Sequence, residues 1–174
     1  VSWNEPAVPP PGAIVSREYQ VLSKTPVRSR LRYEMQSRPG FVPDADESDA
    51  TLRTHLNLPA NNPRTRALAE QWRRETGQAA GQNEAVIRRM LDHFRQESFF
   101  YTLTPPLLGE NGIDQFLFET RRGFCEHYAS AFVFAMRAAG IPARVVTGYQ
   151  GGERNPVDDY LIVRQSDAHA WAEV

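Results

Sequence analysis

Apolar residues along the chain keep helical spacing in its middle and strand spacing towards its end. From Asn83 onward, Val86, Ile87, Met90, Leu91 and Phe94 fall on one stripe and leave Arg88, Arg89 and Asp92 outside it, which predicts an amphipathic helix capped by Asn83. A helix over 63–76 is expected before it, because Asn62-Pro63 supplies an N-cap and a first-turn proline and Gly77 a stop. A third helix, of about four turns, follows Gly123 and ends at Gly140 and Pro142. Its one face carries Cys125, Ala129, Phe132, Val133 and Met136, so Cys125 sits in the first turn. Three β-rich segments come next, at 144–149, 159–164 and 169–174, separated by the turn-rich 151–158 and by 165–168. Short connections favour an antiparallel sheet. In the last segment His169, Trp171 and Glu173 share one face, and Ala170, Ala172 and Val174 share the other, which suits burial.

The first third reads differently. Residues 1–62 are rich in proline and polar turns, with an extended start at Pro9-Pro10-Pro11-Gly12 and a turn at Pro39-Gly40. Leu31, Tyr33 and Met35 alternate in a candidate strand over 28–35, and the acidic stretch 44–49 suits a surface loop. The expected organisation is therefore an N-terminal, β-containing arm over 1–62 and an α+β core domain over 63–174. Between the second and third helices, Phe99-Phe100-Tyr101 runs into Pro105-Pro106, a connection that cannot be helical throughout; its aromatics line a cleft or fill the core.

Composition narrows the function. A chain of 174 residues, 41% hydrophobic and 24% charged, can bury a genuine core. Its 20 basic and 21 acidic residues are interspersed, so nothing resembles the basic footprint of a nucleic-acid binder. The pairs Arg73-Arg74, Arg88-Arg89 and Arg121-Arg122 read as solvated helix faces. No apolar run approaches the roughly 18 residues of a membrane span. Because the chain opens at Val1 without a signal-like stretch and stops at Val174 within a patterned run, it is expected to be part of a longer protein.

The single cysteine cannot form an internal disulfide. In the first turn of a helix it lies near unpaired backbone N–H groups and the positive end of the helix dipole, which favour thiolate; the alternative is an inert cysteine on the apolar stripe. A thiol nucleophile needs a base. His127 is two positions along and about 200° around the same helix, which points it away. A Cys125-Glu126-His127 metal site is disfavoured because the neighbours diverge and no CxxC or HExxH spacing accompanies them. His93 edges the apolar stripe of its helix, and His55 has no patterned context. His169, on a strand that two hairpin-like connections return towards the cysteine helix, is the best candidate base, the alternative being a surface strand residue. Asp167 suits a turn, and Gln115 is a weak candidate for an oxyanion donor.

Three blocks in order carry a specific likeness: Gly123-Phe124-Cys125-Glu126-His127-Tyr128-Ala129, then 140–149 from Gly140-Ile141-Pro142 to Thr147-Gly148-Tyr149, then His169-Ala170-Trp171-Ala172-Glu173-Val174. Together they resemble the transglutaminase-like superfamily. The Phe118–Gly123 approach and Tyr101-Thr102-Leu103-Thr104-Pro105 resemble its bacterial membrane-anchored members of the TgpA type. The resemblance implies a cysteine-proteinase-like α+β fold in which a helical half carrying the nucleophile packs on an antiparallel sheet. It implies Cys125 as nucleophile, His169 as base then acid, and an aspartate on the strand after the histidine strand, beyond residue 174. Tyr101 and Trp171 are the candidate substrate-binding side chains. The implied activity is protein-glutamine transamidation through a Cys thioester, with no cofactor and no metal. The implied substrate is a protein or peptide amide, cell-envelope-linked amides among the candidates, and the acceptor an amine or water. A cysteine peptidase or amidase, or a binding domain retaining the fold, are the alternatives. The expected location is the periplasmic side of the bacterial inner membrane, with the parent anchored there and this chain, lacking the triad acid, impaired.

Overall fold

The computed structural model describes residues 11–16, 20–32, 48–77, 80–158 and 160–174. They fall into two compact units, Val1–Asp46 and Glu47–Val174. In the first, β1 (Ala13–Val15) and β2 (Val21–Ser23) form an antiparallel hairpin in which Ile14 faces Leu22. Gly12, at φ 82°, takes the left-handed turn conformation open to glycine, and its carbonyl accepts from Lys24 N–H at 2.9 Å. The strand expected over 28–35 does not form at 28–32; its remainder and the Pro39-Gly40 turn lie outside the described residues.

The second unit starts with α1 (Asp49–Thr54), so the tail of the acidic stretch is helical rather than loop. Ser48 is the reason: its hydroxyl accepts from Thr51 N–H at 3.3 Å. Residues just after α1 are stitched to the core, since His55 O accepts from Ala143 N–H at 3.2 Å and Asn57 O from Arg137 Nη1 at 2.8 Å. The helix α2 (Pro63–Thr76) has the expected bounds but another cap. Asn62 adopts φ 57° and turns its side chain away from α2 to the start of α4 (Gly112–Gln115), where Oδ1 accepts from Ile113 N–H (3.0 Å) and Asp114 N–H (3.1 Å). Buried Asp114 returns the favour, accepting from Arg64 N–H, Thr65 N–H and the Thr65 hydroxyl at 2.9, 2.8 and 2.6 Å. Each helix thus supplies the cap of the other.

The helix α3 (Asn83–Gln96) starts on a 3₁₀ turn at 80–82, so Asn83 is its first residue and not its cap. Its Oδ1 accepts instead from Arg73 Nη2 at 2.8 Å. Arg73 also donates to Ala139 O and Gly77 O, which makes it a tie between three helix ends and not part of a solvated face. Among the other expected solvated arginines, Arg88 pairs with Glu84 on the surface, and Arg89 pairs with Glu75. Arg121 pairs with Glu97 at 2.8 Å.

Two short strands follow. β3 (Phe100–Tyr101) pairs in parallel with β4 (Arg122–Gly123) across α4 and a π-type turn, Phe116–Thr120. α5 (Cys125–Ala138) is the centre of the unit. Phe132, Val133, Phe134, Ala135 and Met136 are all buried, so it is enclosed on nearly all sides and not on one face as its stripe suggested. Val86 and Met90 of α3, Ala69 of α2, and Phe116 and Leu117 complete the core against it. β5 (Arg144–Tyr149) and β8 (Ala168–Glu173) form the antiparallel sheet that packs on α5, with His169 opposite Gly148. Of the expected middle strand, β7 (Leu161–Ile162) alone is regular, and it pairs with β6 (Glu153–Arg154) in a separate hairpin.

Candidate functional site

The first residue of α5 is Cys125, and the chain before it is held on both sides. Phe100 N–H donates to Arg121 O and Thr102 N–H to Gly123 O, each at 2.8 Å, which fastens β3 to the segment that leads into the cysteine. Phe124 is extended (φ −118°, ψ −173°), and its N–H donates to His127 Nδ1 at 3.4 Å. The imidazole of His127 lies so close beneath the strand that a Cβ at Gly123 would meet His127 Cβ and Cγ at 2.6 Å and Phe116 Cε2 at 3.0 Å. Glycine is therefore what allows the histidine to cap the helix. Cys125, half-buried, opens the helix with its N–H pointing out of the first turn, where no intrahelical acceptor exists.

The alternation expected along the last strand is present as far as residue 172: Ala170 is buried and Ala172 packs on the core, whereas Trp171 is exposed; Val174, expected on the buried face, is exposed. Ala170 and Ala172 are small enough for the strand to approach α5 closely, and that approach brings the two candidate chemical groups to one place. A cleft of about 420 Å³ is lined by Cys125, Tyr128, Ala129 and Phe132 of α5 and by residues 169–172 of β8. Leu91 and Phe94 of α3 and Tyr101 of β3 complete its wall. Apart from the thiol and the imidazole, its polar groups are the two tyrosine hydroxyls and the indole N–H. The cleft is thus apolar over most of its wall and open to solvent on its outer side.

All four residues singled out as candidate site residues, Cys125, His169, Tyr101 and Trp171, line this cleft. Tyr101 stacks on Tyr128, with ring centroids 6.3 Å apart and planes at 18°. Burial, and secondly the neighbouring Tyr101, push the Tyr128 hydroxyl above its ordinary value. Tyr128, Leu91 and Phe94 were read from the sequence as stripe or unassigned positions. The signal for Tyr128, Ala129 and Phe132 was present, since they lie three, four and seven residues from Cys125 on one helical face.

The remaining histidines go elsewhere. His127 lines a second cavity, of about 390 Å³, with Glu126 and Ser130, on another side of α5 from the cysteine cleft. His93 sits edge-on to Trp72 and Phe99 (6.0 and 5.6 Å), and its Nε2 is buried without a hydrogen-bond partner. Burial lowers its pKa, with Glu97 opposing and Arg121 adding to the shift. Gln115 is absent from the cleft wall, and its Oε1 accepts from Gly109 N–H at 2.6 Å. Asp167 closes a turn: Oδ2 accepts from Arg164 N–H at 2.7 Å, and its carbonyl from Gln150 N–H at 2.9 Å.

A central helix that begins on a cysteine, packed against an antiparallel sheet whose histidine strand borders the same cleft, defines an α+β fold of the cysteine-proteinase-like class. Residues 67–174 match the transglutaminase-like superfamily, and the chain belongs to it. It is 48% identical over 157 residues to the protein-glutamine gamma-glutamyltransferase of Pseudomonas aeruginosa, a match that covers 90% of this chain and 23% of that protein. It is 36% identical over 128 residues to the uncharacterized protein YebA of Bacillus subtilis, covering 69% of this chain and 17% of that one. Among solved structures, the periplasmic domain of TgpA from P. aeruginosa matches with a TM-score of 0.83 at 44% identity, over 97% of this chain and 58% of that domain chain. The same domain bound to ethylmercury matches with a TM-score of 0.82. The chain thus spans about a quarter or less of the curated relatives it matches.

Proposed function

We propose that this chain is the catalytic core of a protein-glutamine transamidase. The observation that carries the reading is the shared cleft: Cys125 at the first position of α5 and His169 on β8 border one largely apolar cavity. In the reaction, the Cys125 thiolate attacks the carboxamide carbon of a glutamine side chain, and the C–N bond breaks as His169 passes a proton to the nitrogen. Ammonia leaves, and the acyl group remains on sulfur as a thioester. A primary amine then attacks the thioester carbon, giving its proton to His169 while the C–S bond breaks, which yields the amide and restores the thiolate–imidazolium pair. The developing oxyanion is held by the outward-pointing N–H of Cys125. Tyr101 and Trp171 form the walls against which the substrate lies.

The catalytic core is assigned to residues 63–174, with residues 47–62 folding in the same compact unit, Glu47–Val174. The likeness to the periplasmic domain of TgpA supports a periplasmic setting, and a parent tethered to the inner membrane is part of the same proposal. On this reading an aspartate is the third member of the triad, holding the His169 imidazole in its tautomer and orientation. The test is incorporation of a fluorescent primary amine into a glutamine-bearing protein by the full-length protein. Cys125→Ala and His169→Ala should each abolish it. Incorporation that survives Cys125→Ala overturns the reading, and ammonia release without amine incorporation replaces it with an amidase.

A further inference from the structure

On the face of β8 that bears His169, the position directly across the ladder carries no side chain, because it is Gly148. The indole of Trp171 occupies that space. A Cβ placed on Gly148 would stand 2.9 Å from Trp171 Cη2 and 3.3 Å from Cζ3, tighter than side chains pack. The opposite end of the indole is anchored: Nε1–H donates to Glu173 Oε1 at 3.4 Å. Glu173 Oε2 in turn accepts from Arg144 Nε and Nη2 at 2.9 and 2.7 Å. Arg144 and Glu173 are cross-strand partners, as are Val146 and Trp171, so the whole clamp is set by the β5–β8 register and lies on the face of His169.

A glycine across the ladder offers the imidazole no cross-strand side chain to pack against, and a base free to change rotamer is held less firmly in any one orientation. We infer that Trp171 is a positioning residue for His169: its indole, seated over Gly148 and held by the Arg144–Glu173 pair, closes the cross-strand side of the imidazole and keeps that ring in the cleft shared with Cys125. The inference rests on the proposed role of His169 as the base. Gly148 is, on this account, part of the same device, since any side chain there expels the indole from its seat.

The experiment measures kcat and KM for amine transfer in the full-length protein, together with melting temperature, for Gly148→Ala, Trp171→Phe, Trp171→Ala, the double variant Gly148→Ala/Trp171→Phe, and His169→Ala. A displaced base lowers turnover without weakening substrate binding, and misplacement on the scale of 1 Å costs up to about 100-fold. Gly148→Ala is therefore expected to lose roughly 10- to 100-fold in kcat at unchanged KM, and Trp171→Ala, which also removes part of the substrate-facing wall, to lose roughly as much in kcat with KM free to rise. The double variant should recover to within about threefold of Trp171→Phe, because the smaller ring clears the added methyl. Wild-type kcat in Trp171→Ala, a rise in KM alone, or a Gly148→Ala loss that Trp171→Phe does not rescue overturns the inference. If Gly148→Ala fails to fold, the two Trp171 variants decide the matter by their kcat and KM. Full turnover in His169→Ala would sink the base assignment itself, whereas an inactive His169→Ala beside fully active Trp171 variants sinks the positioning role alone.

Discussion

Replacing Asp114 by alanine removes a carboxylate that is 3% exposed and accepts three hydrogen bonds from the start of α2. The loss of an N-cap costs about 1 kcal/mol. The substitution also strands the Thr65 N–H and hydroxyl, on a residue 1% exposed, and each buried donor without a partner costs at least about 1 kcal/mol. The expected destabilisation is therefore about 3 kcal/mol. Urea unfolding of the 174-residue chain, followed by circular dichroism, should show the midpoint fall at constant m. Adding Thr65→Val, which deletes the stranded hydroxyl, should return about 1 kcal/mol of that loss, so the double variant is more stable than the sum of the two single effects. A loss below about 1 kcal/mol for Asp114→Ala, or strict additivity with Thr65→Val, would refute the reciprocal capping of α2 and α4 as a source of stability.

Two further outcomes follow from buried contacts. The folded protein holds the pKa of His93 below its ordinary value of 6.5, chiefly through burial, so the unfolded chain binds more protons as the pH drops. The contribution of neutral His93 is complete above about pH 6.5 and is lost as the pH falls through that value towards the lowered folded-state one, so His93→Phe should flatten the acid side of a plot of unfolding midpoint against pH; an unchanged slope would refute it. Gly123→Ala forces a methyl against His127 and Phe116, and should destabilise the chain by about 1–3 kcal/mol while lowering amine transfer, because the cap that sets Cys125 is displaced. Full activity with unchanged stability would show that the His127 cap is dispensable.

Much of the helical half was legible in local pattern. The bounds of α2, the apolar stripe of α3, the placing of Cys125 at the start of α5, and the strand 144–149 follow from caps, breakers and periodicity, which act within a few residues and are therefore written locally. The ordered blocks around Cys125 and His169 likewise made the superfamily readable before any coordinates. Tertiary structure decided what depends on partners far along the chain. Asn62 looks like the cap of its own helix, yet its oxygen serves residues 113 and 114, and the true acceptor for α2 is Asp114, some fifty positions away. Arg73 looks like surface charge and is a tie between helix ends. The expected strand at 159–164 keeps two regular residues, because its partner is the short β6 and not the main sheet. The cleft is the plainest case: Leu91, Tyr101, Tyr128 and His169 share one wall because α3, β3 and β8 all pack around α5, and no spacing within any one segment encodes that meeting.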